Sequence, residues 1–251
     1  MNQKQKAEQF SKLHVKGNPV LLYNAWDAGS AKAILDAGAK AIATSSWSVA
    51  EAQGYRDGEA LPIALLEHVA GRIAATIDAP VTIDFEGGYS EDESKLAENV
   101  SRLIDLGIVG INFEDRIVKG KGLYAADRQA RRIAAIRTAA EKKGIDLFIN
   151  ARTDVFFQDG DPAKFIDDAL ERADAYEAAG ASGLFIPGLV DAALIERICD
   201  GASLPVNVMV MEGVPGNKRL AKLGVARISY GPIPYVQVMK ALGKEARDVH
   251  A

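Results

Sequence analysis

The sequence predicts an α/β fold, a closed (β/α)8 barrel of the TIM type, formed by a single domain over residues 1–251 with a C-terminal helix. Eight short apolar segments alternate with segments of helical period along the whole chain. A helix end, a glycine and an apolar run also recur together, in DAGAKAI, DLGIVGI, EAAGASGL and AKLGVARI. The same alternation is compatible with a doubly wound open sheet, which is the alternative architecture.

The predicted strands are short apolar runs, many of them rich in β-branched residues. They cover residues 20–24, 40–46, 81–85, 109–114, 147–152, 183–187, 205–210 and 226–230. The predicted helices cover residues 28–37, 62–77, 92–106, 127–143, 162–179, 191–199, 215–223 and 232–246. Several of these helices end at glycines placed as C-caps, which are Gly38, Gly107, Gly144, Gly180 and Gly224.

Composition excludes several classes of function. The formal charge of −4 is spread over the chain without a basic block, which argues against a nucleic-acid partner. No apolar run approaches the roughly 20 residues needed to cross a bilayer, so we expect no membrane partner. The single cysteine, Cys199, has no internal disulfide partner, which agrees with a reducing compartment and predicts a cytoplasmic protein.

Polar residues collect where the predicted strands end, and in a parallel barrel all those ends open on one face. Each residue has a simpler explanation when taken alone: Asp27 serves equally well as a helix cap, and Asp115 and Asp154 as loop acids. The set comprises Asn24, Asp27, Thr44, Ser45, Ser46, Trp47, Asp84, Glu86, Glu114, Asp115, Asn150, Arg152, Asp154 and Asn207.

Acids within this set predict a divalent cation. Asp84, Glu86 and Glu114 come from two strands, Asp57 adds a fourth acid from a loop, and four carboxylates that converge without a cation repel one another. Mg²⁺ prefers oxygen ligands and binds some carboxylates through water. Because no histidine or cysteine stands at these strand ends, zinc is disfavoured.

Arg152 ends the predicted strand LFINAR, and a buried arginine requires an anionic partner. We favour a substrate carboxylate as that partner, and one of the acids in the set is the alternative. The hydroxyl and N–H groups of SSWS are suited to an oxyanion or to an ordinary polar turn.

Together these residues resemble the isocitrate lyase and phosphoenolpyruvate mutase superfamily over nearly the whole chain. The similarity is carried by TSSWS, by GYRD at Asp57, by IDFEGGY at Asp84 and Glu86, by FEDR at Glu114 and by NARTD at Arg152.

The resemblance implies an enzyme in which Mg²⁺, with Mn²⁺ as a substitute, binds a pyruvate-like group whose bond to C3 is made or broken through an enolate. It implies that Asp84 binds the metal directly, whereas Asp57, Glu86 and Glu114 hold its waters. Arg152 would bind the substrate carboxylate, and Tyr23, Ser45, Ser46, Trp47, Asp84 and Asn207 would form the rest of the substrate site.

Departures from the family narrow the reaction. The KKCGH-type loop of the isocitrate lyases is replaced by RIVKGKGLY, without cysteine or histidine, and the asparagine of the phosphonate mutases is also missing. The prediction is therefore a Mg²⁺-dependent carbon–carbon lyase or decarboxylase that acts on a small 2-oxo or 2-hydroxy di- or tricarboxylic acid. The alternatives are a phosphoenolpyruvate mutase or phosphonopyruvate hydrolase, and a 2-oxo acid binding protein with little turnover.

A gating loop over residues 116–125 is predicted to close over the site, and the group that protonates the enolate is left open among four candidates. The candidates are Lys119, Lys121 and Tyr124, with Tyr89 outside the loop, and Glu114 and Arg152 complete the predicted catalytic set. Because members of the superfamily commonly form tetramers with exchanged C-terminal helices, the resemblance also implies a homo-oligomer, either a dimer or a tetramer.

Overall fold

A computed structural model describes residues 1–250, and within them eight parallel strands form a nearly closed barrel that alternates with helices. The strand order is β1-β8-β7-β6-β5-β4-β3-β2, so the (β/α)8 prediction is confirmed and the open sheet is wrong. The strands are β1 Val20–Leu22, β2 Ile42–Ala43, β3 Val81–Asp84, β4 Gly110–Glu114, β5 Phe148–Arg152, β6 Gly183–Phe185, β7 Val206–Met209 and β8 Arg227–Ser229.

Two backbone hydrogen bonds close the gap between β1 and β2. The N–H of Ala25 donates to the carbonyl of Ala43 at 2.8 Å, and the N–H of Ser45 donates to the carbonyl of Ala25 at 3.3 Å. These bonds form an isolated parallel bridge between Ala25 and Thr44. The barrel is therefore closed between β1 and β2 by contacts that lie just beyond the carboxyl ends of these two short strands.

The helices follow the predicted segments, with two additions. They are α1 Gln3–Lys12, α2 Ala28–Asp36, α3 Ser46–Ala52, α4 Ile63–Thr76, α5 Glu93–Asp105, α6 Ala126–Lys142, α7 Ile166–Ala178, α8 Ala192–Gly201, α9 Asn217–Lys222 and α10 Ile233–His250. Short 3₁₀ turns at Val155–Phe157 and Pro162–Phe165 precede α7. Within residues 1–250, no helix combines the length and the apolar character that crossing a bilayer requires.

Helix α5 shows how local sequence sets these boundaries. The Asp92 side chain accepts a hydrogen bond from the N–H of Lys95 at 2.8 Å and caps the first turn. Leu96, Val100 and Leu103 recur at helical spacing and are buried against the barrel. Gly107 then adopts a φ of +94°, a left-handed conformation that ends the helix without the strain a side chain would bring.

Helix α1, which the sequence did not predict, lies against the amino-terminal end of the barrel. Phe10 is fully buried and meets the first residue of β5, Phe148, with ring centroids 5.4 Å apart. A Cβ at Gly110, the first residue of β4, would lie only 2.8 Å from the Phe10 ring, so glycine makes room for this contact. The amino-terminal end of the barrel is thus covered at β4 and β5.

Helix α3 corrects the predicted strand over residues 40–46. The strand ends at Ala43, and the helix begins at Ser46. Ser45 is the N-cap of this helix, and its side chain accepts a 3.4 Å hydrogen bond from the N–H of Ser48. A serine-rich stretch directly after a buried strand favours a helix cap because its hydroxyls satisfy free N–H groups.

Candidate active site

The carboxyl ends of the strands surround a cavity of about 190 Å³. It is smaller than the roughly 300–1,000 Å³ of sites that take drug-sized ligands, so a small molecule fits it best. Its lining residues come from many of the strand ends and the segments that follow them. They are Asn24, Ser45, Ser46, Trp47, Asp57, Asp84, Asn112, Arg152, Phe185, Met209, Ser229, Gly231 and Pro232.

Asp84, at the end of β3, is held by the start of α3. Its Oδ2 accepts hydrogen bonds from the Ser46 N–H at 3.1 Å and from the Ser46 hydroxyl at 2.8 Å. Its own N–H donates to the Thr44 hydroxyl at 3.0 Å. The other carboxylate oxygen, Oδ1, is buried without a hydrogen-bond partner among the described residues. An unpaired buried carboxylate oxygen is costly unless a ligand completes its contacts.

Glu86 lies on the turn after β3 and is fixed by the loop that carries Asp57. Its Oε2 accepts a 2.8 Å hydrogen bond from the N–H of Glu59, whose own Oε1 accepts a 2.7 Å bond from the N–H of Tyr89. Glu59, Glu86 and Tyr89 all have positive φ, of 55°, 49° and 60°. Three non-glycine residues in this region indicate backbone strain concentrated beside the cavity.

The four predicted metal-site acids influence one another's protonation. Burial raises the pKa of Glu86 to about 8, and the charges of Asp57 and Asp84 act in the same direction. Burial also raises the pKa of Glu114 to about 8, although the Arg152 guanidinium opposes the shift. The pKa of Asp57 is raised by burial and by Asp84. Asp84 thus contributes to the shift at each of its three neighbours, and the four carboxylates form one electrostatic cluster.

This cluster fits a cation that binds few carboxylates directly. Within residues 1–250, no three Asp, Glu, His or Cys side chains already stand in the arrangement of a metal centre. The unpartnered Oδ1 of Asp84 is the one buried acceptor in the cluster that lacks a contact. Mg²⁺ commonly takes one or two carboxylates and keeps several waters, which matches Asp84 as a direct ligand with the other acids around it.

Arg152 is buried beside the cluster and is already paired with protein carboxylates. Its Nε and Nη2 donate to the two oxygens of Asp154 at 2.6 and 2.9 Å, and its Nη1 lies 3.0 Å from Glu114 Oε2. Burial disfavours its charge, but Glu114 and Asp154 together raise the pKa of Arg152. The alternative that the sequence left open, pairing with a neighbouring acid, is therefore what the structure shows. Since Arg152 also lines the cavity, its remaining N–H groups are the ones left for a ligand.

Asp115, another acid of the predicted set, supports the backbone of the site and does not line the cavity. It is fully buried, and its Oδ1 accepts a 3.0 Å bond from the N–H of Asp154. Its Oδ2 accepts from Arg172 Nη1 at 3.1 Å and from the Tyr176 hydroxyl at 2.8 Å. These bonds tie α7 to the ends of β4 and β5, and so they fix the backbone that carries Glu114 and Arg152.

Two predicted substrate residues do not line the cavity. Tyr23 is 38% exposed and donates a 3.0 Å hydrogen bond from its hydroxyl to Gln237 on α10. The next residue, Asn24, lines the cavity instead because side chains alternate between the two faces of a strand. Asn207 is fully buried within the barrel and exchanges hydrogen bonds with the Ser229 side chain.

A different, smaller cavity of about 120 Å³ lies beside two of the three predicted catalytic loop residues. Lys119 and Tyr124 line it together with Glu59 and Tyr89. Lys119 Nζ lies 3.7 Å from Glu59 Oε2, and through Glu59 it reaches the loop that fixes Glu86. Lys121 lines neither cavity and is exposed. The structure therefore places Lys119 and Tyr124 next to the acid cluster but not inside its cavity.

Some cavity residues were absent from the predicted site. Asn112 and Ser229 are polar residues within the largely apolar strand segments INFE and ARIS. Their positions in the alternation of each strand point inward, and this pattern could have identified them from the sequence. Phe185, Met209, Gly231 and Pro232 carry no chemical signature, and only the closure of the barrel brings them to the cavity.

Comparison with known proteins gives consistent matches. The family model described as phosphoenolpyruvate phosphomutase matches residues 10–250. The crystal structure of a protein from Burkholderia cenocepacia J2315, named as a candidate phosphonomutase, is 46% identical, covers 98% of this chain and 99% of its own, and superposes with a TM-score of 0.95.

Two curated relatives carry lyase or decarboxylase names. Probable 2-methylisocitrate lyase 2 of Corynebacterium glutamicum is 32% identical over 70% of this chain and 57% of its own length. Oxaloacetate decarboxylase of Ectopseudomonas mendocina is 30% identical over 68% of this chain and 59% of its own length. The chain thus spans somewhat more than half the length of these two relatives.

Proposed function

The chain belongs to the phosphoenolpyruvate phosphomutase family, within the isocitrate lyase and PEP mutase superfamily, and we propose that it is a Mg²⁺-dependent carbon–carbon lyase or decarboxylase. Its proposed substrate is a small 2-oxo or 2-hydroxy di- or tricarboxylic acid, with oxaloacetate as the first candidate. The observation that carries the proposal is the unpartnered, buried Oδ1 of Asp84 within a cluster of four acids.

Two further observations support a small acid as substrate. The cavity of about 190 Å³ suits a small ligand, and the names of the two curated relatives refer to small carboxylic acids. The cavity is also lined by two aspartates, so an anionic substrate requires a cation between itself and Asp57 and Asp84.

In the proposed site Asp84 binds Mg²⁺, or Mn²⁺ as a substitute, while Asp57, Glu86 and Glu114 hold its waters. When bound, the ion supplies Lewis-acid polarisation of the substrate's 2-oxo group and fixes its orientation. Ser46 keeps Asp84 oriented through two hydrogen bonds, which leaves Oδ1 free for the ion.

The substrate would lie between the start of α3 and β5. Ser45, Ser46 and Trp47 line one side of the cavity. Because Ser46 donates to Asp84 and the Ser45 N–H to Ala25, the donors left for an oxyanion are the Ser45 hydroxyl and the Trp47 N–H. Arg152 lines the cavity as well and would donate a remaining N–H to a carboxylate oxygen, while Glu114 and Asp154 keep its guanidinium fixed.

With oxaloacetate, the bond between C3 and C4 breaks and C4 leaves as CO₂. The electron pair of that bond moves toward the 2-oxo group, and C3 then takes a proton to give pyruvate. Lys119, Lys121 and Tyr124 of the loop 116–125 remain the proposed proton carriers. The loop is a small hairpin closed by a bond from the Ile117 N–H to the Gly122 carbonyl, and it would exclude water by closing over the site.

The test is formation of pyruvate from oxaloacetate and from 2-methylisocitrate, followed with a coupled dehydrogenase. We expect turnover that requires Mg²⁺ and that Asp84→Asn abolishes, whereas Asp191→Asn, which changes an exposed helix cap, leaves it intact. Turnover that persists in Asp84→Asn would remove the metal assignment, and no pyruvate from either acid would remove the lyase assignment.

Phosphonate chemistry is the second candidate, favoured by the name of the 46% identical Burkholderia protein. It predicts conversion of phosphonopyruvate, either to phosphoenolpyruvate or to pyruvate and phosphate. Release of phosphate, or a ³¹P signal of phosphoenolpyruvate, from phosphonopyruvate without any cleavage of oxaloacetate would decide for it.

We also propose that the protein is a homo-oligomer. Helix α10 exposes Val236, Val238, Met239 and Leu242, and an apolar helix face of this kind commonly marks a contact between chains. Light scattering coupled to size exclusion should give the mass of a dimer or a tetramer, and a mass of one chain would refute the proposal.

A further inference from the structure

The interior of this barrel is unusually polar beneath the cavity. Barrels of this type are commonly filled by branched apolar side chains. Here the strand register places Asn112 beside Asn150 and Asn207 beside Arg227, and all four side chains are buried. A buried polar layer of this kind lowers stability unless its hydrogen bonds are made. The hydrogen bonds that these four side chains form therefore indicate what the layer does.

Arg227 is the central charge of that layer. It is 1% exposed, and among residues 1–250 it forms no ion pair, although a buried arginine is almost always paired. It donates from Nη2 to Asn112 Oδ1 at 2.9 Å and from Nε to the Ser229 hydroxyl at 3.3 Å. Both acceptors line the cavity, so the guanidinium lies directly behind two residues of its wall.

These bonds fix which way the Asn112 amide points. Its Oδ1 accepts from Arg227 Nη2 and from Asn150 Nδ2, both at 2.9 Å. Because a guanidinium only donates, the atom that faces Arg227 has to be the amide oxygen. The Nδ2 of Asn112 then points away from Arg227. It donates no hydrogen bond within the described residues, and it is not among the buried polar atoms without a partner, so it is open to the cavity that Asn112 lines.

Charge in the cavity makes this donor useful. Arg152 is already matched by Asp154 and Glu114, so it adds no net positive charge to the cavity. Arg227 is a guanidinium near the cavity that forms no ion pair within residues 1–250, although the charge of Asp84 acts on it from a distance, and its charge polarises the amide that it holds.

We propose that Asn112 donates its Nδ2–H to a carboxylate oxygen of the small acid, with Arg227 as the positioning residue that sets the amide's orientation. This inference rests on the proposed function, and it names a recognition contact at the deep side of the same cavity. Asn150 completes the device by holding the amide oxygen from the neighbouring strand.

Binding of oxalate in the presence of Mg²⁺, measured by calorimetry, tests the contact without any need for turnover. Asn112→Asp replaces the donor by an acceptor while keeping the shape, and Asn112→Ser shortens the side chain so that its hydroxyl no longer reaches the position of Nδ2, without adding charge. We expect each to weaken oxalate binding by about tenfold or more, the usual cost of a hydrogen bond to a charged group. The matched control is Thr82→Val, an isosteric change at a buried residue of β3 that does not line the cavity, and it should leave oxalate affinity unchanged.

Arg227 is tested by Arg227→Met and Arg227→Lys. The methionine variant should lose oxalate affinity as Asn112→Ser does, whereas the lysine variant should retain part of it. Both variants should still melt in a cooperative transition, which shows that they are folded. If Asn112→Asp does not fold, Asn112→Ser decides the outcome. Oxalate affinity within twofold of the unmodified protein in the folded Asn112 variants overturns this inference and leaves the proposed function standing. Failure of the unmodified protein to bind either oxalate or oxaloacetate with Mg²⁺ overturns both.

Discussion

Replacing Asp84 by asparagine should abolish the stabilisation of the protein by Mg²⁺. In the unmodified protein Mg²⁺ relieves the repulsion among Asp57, Asp84, Glu86 and Glu114, and it gives Asp84 Oδ1 the partner that it lacks. At a Mg²⁺ concentration about 100 times the Kd, the gain is about 2.7 kcal/mol. For a chain of this size that corresponds to a rise in Tm of about 5–10 °C.

In Asp84→Asn the same Mg²⁺ concentration should have almost no effect. The amide oxygen can still accept both hydrogen bonds from Ser46, so the local structure is kept. Removing one of several neighbouring like charges relieves repulsion on the order of 1 kcal/mol or more. The variant should therefore melt at the same temperature as the unmodified protein, or higher, when EDTA is present, and lower when Mg²⁺ is present.

Differential scanning calorimetry in EDTA and over a Mg²⁺ titration measures both effects. Asp191→Asn is the control, since asparagine caps a helix as well as aspartate does and this cap is exposed. An equal Mg²⁺-dependent rise in Tm for Asp84→Asn and for the unmodified protein would show that the cation binds elsewhere.

Three further predictions concern other parts of the chain. Burial, with a contribution from Arg227, lowers the pKa of His14 to about 3; the unfolded chain then takes the proton first as pH falls, so His14 should subtract about 2 kcal/mol from the free energy of unfolding between about pH 7.5 and pH 5, against the opposite trend from the raised pKa values of Glu86 and Glu114. Denaturant titrations of the unmodified protein and of His14→Phe should show that share as the difference between their pH dependences, and parallel curves would refute it. Tyr176→Phe removes the hydroxyl that donates to Asp115 and should cost about 1–3 kcal/mol in the same assay, with an unchanged midpoint counting against the network. Lys119→Gln should lower kcat for pyruvate formation by about tenfold or more, as expected when a proton carrier is lost. Equal kcat values in Lys119→Gln and in Lys121→Gln would count against this role, because they would not distinguish Lys119 from an exposed, solvated lysine.

Much of the fold is a local property of the chain, which explains why it could be predicted. Each βα unit has its own apolar run, its own helical period and, in several cases, its own terminal glycine, and these signals need no distant partner. The two missed helices depend on context: α1 is fixed by Phe10 against Phe148, and α3 begins where Ser46 donates to Asp84.

The site divides in the same way. Asp84 and Glu114 stand at the ends of strands, and parallel strands bring their ends to one face, so their convergence followed from the alternation alone. Tyr23 was placed in the site although the side chain of its neighbour Asn24 is the one that points inward. The alternation that begins in β1 continues through residues 23 and 24, and it decides between them.

The sequence by itself determined the barrel, the face on which the acids collect and the family to which the chain is similar. Those features depend on periodicity and on residue types at strand ends, which are written along the chain. Only the tertiary structure decided that Arg152 is paired with Asp154 and Glu114, and that Arg227 orients Asn112 from beneath the cavity. The partners in these contacts come from different strands or turns, and the orientation of a side chain toward them depends on the register of the closed barrel.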